Sequence, residues 1–147
     1  MAGVLAAAVT AEISTGTAAK TLVQVVAPAA QRLKLRKWGV TFDGVASDAA
    51  PIEVRLLRQS TAGTMSALSP VAVSPAGATV RATAQHTATA EPTAGDVLAA
   101  VEVHPQSGYV EVMPPDLSVE VAESGRVAIE VTAAAAVNAR AFLWWEE

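Results

Sequence analysis

The chain has 147 residues, a formal net charge of −4 and no cysteine. That length fits one domain with a core of its own, and the lack of cysteine excludes disulfides, thiolate metal sites and thiol nucleophiles. A phosphate-binding surface needs clustered Lys and Arg; the only cluster, Arg32, Lys34, Arg36 and Lys37, lies inside a strand-like segment, so nucleic acid is not an expected partner.

Hydrophobic residues make up 52% of the chain and charged residues 16%, against about 25% charged in ordinary soluble domains. Mean hydropathy is +0.37. No run of ~18 apolar residues occurs, so no membrane-spanning helix is expected. The excess is largely Ala and Val with Thr between them. Either part of the surface is a neutral face that another subunit covers, or small Ala side chains raise the index without forming a patch.

Residues 1–19 read as an N-terminal arm or first strand and residues 20–147 as a β-sandwich domain. The apolar start from Met1 to Glu12 has no Lys or Arg before it, which argues against a secretory signal. Strand signals then repeat along the chain, split by Gly, Pro, Ser and Asp. Lys20 to Val26 is the first, ended by Pro28. In Leu33 to Phe42, Leu33 and Leu35 share one face while Trp38, Val40 and Phe42 share the other; this parity switch around Lys37 predicts a bulge or a change of partner. Asp43-Gly44 is a turn, and Pro51 to Arg58 alternates through Ile52, Val54 and Leu56.

Gln59 to Pro75 reads as a long loop with one short strand near Pro70 to Val73. Ala78 to Thr89 alternates Thr and Ala, with side chains too small to build a core alone, and predicts an edge strand or a loop lying on another surface. Glu91 to Asp96 turns the chain. Val97 to His104 and Tyr109 to Met113 are strands, the second stopped by Pro114-Pro115. Leu117, Val119 and Val121 alternate into a tight hairpin at Glu123-Ser124-Gly125, which leads to Val127, Ile129 and Val131. Ala133 to Ala136 is a loop between strands, and Val137 to Trp145 is the last strand. Eight or nine strands at about ten-residue spacing predict an all-β chain, a single-domain antiparallel β-sandwich of jelly-roll-like type.

No constellation in the chain carries catalysis. His86 and His104 lack His-x-His or HExxH spacing, so no metal or cofactor is expected. The chain has no G-x-S-x-G elbow. Glu102, Glu111, Glu120 and Glu130 alternate with valines, as outward-facing strand positions do. An enzyme is therefore not expected. Aromatic residues are few, and by parity Phe142 and Trp144 face one way while Leu143 and Trp145 face the other. At least one tryptophan lies off the core, where it would serve as an anchor for a subunit contact or as a sugar-stacking platform.

Four stretches, Trp38-Gly39-Val40-Thr41-Phe42-Asp43-Gly44, Leu56 to Thr64, Thr83 to Thr93 and Arg126 to Phe142, together resemble the small head proteins of tailed bacteriophages, the capsid decoration or cement proteins. The likeness runs from about Glu12 to Glu146 and is one of overall pattern, without a chemical signature. It implies a structural virion protein on the capsid exterior, a homotrimer that bridges and stabilises subunits of the major capsid protein. On this reading the contact residues are Trp144 and Trp145, the basic strand face Arg32, Lys34 and Arg36, and the N-terminal stretch around Val4 and Leu5. The alternative is a carbohydrate- or receptor-binding β-sandwich module of a head fibre or tail tip.

Overall fold

The structure is a computed structural model that describes residues 3–147; residues 1 and 2 of the expected N-terminal segment lie outside the described residues. The chain is all-β and forms two antiparallel sheets packed as a sandwich. Its strands are β1 (Leu5–Val9), β2 (Ile13–Ser14), β3 (Lys20–Val26), β4 (Leu33–Phe42), β5 (Ile52–Gln59), β6 (Thr64–Leu68) and β7 (Val71–Ser74), followed by β8 (Thr83–Ala90), β9 (Ala94–Val103), β10 (Gly108–Val112), β11 (Val119–Val121), β12 (Arg126–Thr132) and β13 (Asn138–Glu146). One sheet has seven strands in the order β10-β4-β13-β1-β7, with β11 also on β4 and β2 also on β13. The other has six, in the order β6-β8-β3-β12-β5-β9.

Period-two alternation accounts for most of this architecture. Val127, Ile129 and Val131 of β12, Ile52, Val54 and Leu56 of β5, and Leu143 and Trp145 of β13 all point into one core between the sheets. The parity switch in β4 is a bulge. Trp144 opposes Lys37 and Trp145 opposes Leu35, so Arg36 is the extra residue, and Leu35 and Trp38 both reach the core. A second bulge falls at Leu22, since Val23 opposes Ile129 and Thr21 opposes Glu130; it puts Leu22 and Val23 side by side in the core.

Three expectations are corrected. There are thirteen strands among the described residues rather than eight or nine, partly because Gln59 to Pro75 holds β6, where the Ser/Pro content suggested a loop, as well as β7 at the short strand expected near Pro70 to Val73. The Thr/Ala strand β8 is not an edge: it runs between β6 and β3, where small side chains fit under a neighbour. The predicted hairpin at Glu123-Ser124-Gly125 is a crossover between sheets. β11 pairs with β4 while β12 joins β3 and β5, and the turn is fixed to the end of β3 by Ala27 N donating to Gly125 O (2.9 Å) and Ser124 N to Pro28 O (3.1 Å).

Candidate functional site

The strand registers place outward-facing residues of the seven-stranded sheet in rows that cross it. One row runs Val112–Lys37–Trp144–Ala7–Val71 and the next Val110–Gly39–Phe142–Val9. These rows are apolar apart from Lys37; Ala7 is buried, but the valines stand open: Val110, Val112, Val9 and Val71 are 51%, 69%, 55% and 58% exposed. Scattered exposed apolar residues are ordinary on a soluble protein, but a contiguous set marks a surface that something covers.

The two rows differ in relief. A Cβ added at Gly39 would come within 2.5 Å of the Phe142 ring, so Phe142 lies across the space that glycine leaves and the row is low. In the other row the Lys37 ammonium sits 4.7 Å from the centre of the Trp144 ring and 5.5 Å from that of Phe142, a cation–π arrangement that holds Lys37 on the aromatic pair. Beside it lies a mostly apolar groove of about 510 Å³, lined by Leu5, Arg36, Lys37, Val112, Trp144 and Glu146 among others.

The expected contact residues separate on this face. Leu5, Arg36 and Trp144 meet in the groove. Val4 lies at its end, tied by backbone hydrogen bonds to Glu147 (2.8 and 2.9 Å). Trp145 is fully buried in the core, with its Nε1 donating to Glu147 Oε2 at 3.1 Å; the inward phase of β13 leaves it nothing to offer a partner. The basic strand face is largely neutralised within the chain. Arg32 pairs with Glu120 (3.2 Å) and Glu123 (3.6 Å), and Arg36 with Glu146 (2.8 Å). Hydrogen bonding to Glu120 raises the already high Arg32 pKa further. Lys34 stands in register between Glu120 and Glu146. Lys37, Phe142, Val110, Val112 and Val71 complete the face and were not singled out from the sequence as contacts. The outward phase of β13 could have flagged Phe142, but the valines become a patch only once β10 and β7 are set beside β4 and β1.

The six-stranded sheet has a different outer face. Gln24, Leu57 and Ala128 point outward there, yet all three are buried. Gln24 Nε2 donates to Gln59 Oε1 (2.6 Å), Gln59 Nε2 to Thr21 Oγ1 (2.8 Å), and Thr21 N and Oγ1 to Glu91 Oε1 (2.7 and 2.8 Å). Arg55 clamps Glu130 through two hydrogen bonds to one carboxylate oxygen, which raises the Arg55 pKa. Glu130 faces outward as its alternation predicted, but it is buried and ion-paired rather than solvated.

No group of three or more His, Cys, Asp and Glu that could hold a metal ion occurs among the described residues. His104 Nε2 lies 3.2 Å from Ser47 O, and its Nδ1 accepts from Gln106 N at 3.1 Å, so it fastens a turn. His86 Nδ1 lies 2.8 Å from Thr87 Oγ1 on β8. Asp43 is held below the usual carboxylate range by hydrogen bonding with Glu12 and then with Asn138, which joins the ends of β4 and β13. The concentrated feature of the surface is therefore the apolar face. No family model matches the chain, and neither a curated protein nor a solved structure matches it.

Proposed function

We propose that the chain is a structural assembly protein that works by docking the outer face of its seven-stranded sheet against another protein surface. The observation that carries this reading is the pair of apolar rows with open valines across that sheet, beside an opposite sheet whose outer face the chain closes for itself over its middle strands β3, β12 and β5. The centre of the open face carries Phe142 and Trp144, the residue types that anchor protein interfaces. The resemblance to phage decoration proteins supplies the setting: a component of the capsid exterior that bridges neighbouring subunits of the major capsid protein. In a lattice of repeated sites many modest contacts add, so each needs little affinity.

Co-sedimentation with expanded heads, assembled from a major capsid protein of the same genome, tests the reading. The chain should pellet with the heads and saturate at a fixed ratio to capsid subunits. Heads carrying it should outlast bare heads under heat and osmotic shock. A chain that stays in the supernatant at every ratio overturns the proposal. The sugar-binding alternative draws less support, because Lys37 already occupies the aromatic pair that a sugar ring would stack on.

A further inference from the structure

The open face of the seven-stranded sheet is complementary to itself, and we infer that its partner is a second copy of this chain, packed face to face about a two-fold axis. The inference rests on reading that face as a docking surface and adds what covers it.

Consider an axis in the plane of the interface, running across the strands between the two apolar rows. Such an axis reverses strand direction and sets β13 of one copy over β13 of the other. The Val112–Lys37–Trp144–Ala7 row of each copy then meets the Val110–Gly39–Phe142–Val9 row of its mate. The matches are favourable at each strand. Trp144 falls on Phe142, an aromatic pair. Lys37 falls over Gly39, where the mate's Phe142 ring fills the space the glycine leaves, and gains that ring as a third cation–π partner beside its own Trp144 and Phe142. Val112 falls on Val110, while Ala7, already covered within the chain, leaves Val9 room at the far side.

Charge agrees with the same operation. One row further out on β13 lies Glu146 on one side and Arg140 on the other. The axis brings Arg140 of each copy over Glu146 of its mate, forming two symmetric ion pairs. Arg140 is exposed and forms no ion pair within the chain among the described residues.

The size also fits. Five strands about 4.8 Å apart, over Arg140 to Glu146 at about 3.4 Å per residue, give a face roughly 24 Å square. That is roughly 600 Å² before side-chain relief is counted, near the ~800 Å² each partner contributes to a standard interface. Two twisted sheets packed this way cross at about 30°, so the match is closest at β13, where the aromatic residues lie. An isologous contact closes on itself and leaves no open apolar edge for further growth.

Light scattering after size exclusion, across the micromolar range, tests the inference with the intact chain and two variants. The wild type should reach about 30 kDa, twice the 15.0 kDa chain. Trp144→Glu should stay at one chain throughout. Arg140→Glu, which sets like charges over Glu146, should weaken pairing at least tenfold, with unchanged far-UV circular dichroism in both variants. A pair that survives both substitutions uses another surface and overturns the inference. So does a wild-type mass near 45 kDa, the three copies that the phage resemblance implies. A wild-type monomer overturns it too, and co-sedimentation then separates the two claims: a monomer that still binds heads leaves the docking reading intact, and one that does not removes both.

Discussion

The outer faces of the two sheets solve one problem in opposite ways. Both belong to a chain with few charged residues, so neither can be coated with Lys and Glu. The six-stranded sheet covers the middle of its own outer face, with Gln24, Gln59, Thr21 and Glu91 forming a hydrogen-bonded lattice and Arg55 seated on Glu130. The seven-stranded sheet has valines and aromatic side chains on its outer face and leaves the valines open and Phe142 and Trp144 half-buried. Polar groups buried on a sheet's outer face must find partners within the chain, and those partners then exclude outside ones. Apolar groups carry no such demand and remain available. The comparison assigns stability to one face and association to the other.

Substitutions should divide along that line. The largest loss is expected from the inward side of the open sheet itself. Trp145→Ala removes a fully buried indole and should cost about 3–5 kcal/mol in chemical denaturation. On the closed face, Arg55→Ala strands Glu130, whose side chain is 7% exposed. The cost should be about 3 kcal/mol, the low end for breaking a buried pair because the Arg55 side chain is itself 30% exposed. Glu91→Ala leaves Thr21 N–H and hydroxyl unpaired and should cost about 2 kcal/mol. Trp144→Ser on the open face should cost less than about 1 kcal/mol in the isolated chain, as surface substitutions usually do, while abolishing association. If Trp144→Ser destabilised the single chain as much as Arg55→Ala does, the division between the faces would fail.

The sequence revealed phase better than cover. Alternation identified the inward and outward residues of β5, β12 and β13, and the parity switch in Leu33 to Phe42 marked the bulge at Arg36, because a one-residue slip reverses every side chain after it. It separated Trp144 from Trp145, yet both were still expected at contacts, because parity alone does not say which side of β13 faces the other sheet. Pairing was less legible. Alternating valines on both sides of Glu123-Ser124-Gly125 look like a hairpin, and only the hydrogen bonds to Ala27 and Pro28 show that the chain changes sheets there. The basic cluster was visible, but its neutralisation was not, since Glu120, Glu123 and Glu146 come from strands far away in sequence. Glu130 shows the same limit: its direction was legible, and Arg55 above it was not.

The most direct test of the account follows tryptophan exposure as the chain associates. Trp38 and Trp145 are fully buried, so acrylamide quenching of the dilute chain should report Trp144 alone and disappear in Trp144→Phe. Raising the concentration of the wild type should protect that emission as the open face is covered. Protection that tracks the rise in mass supports the central claim. Emission that stays equally quenchable while the mass rises contradicts it, because the chain would then associate and leave this face in water.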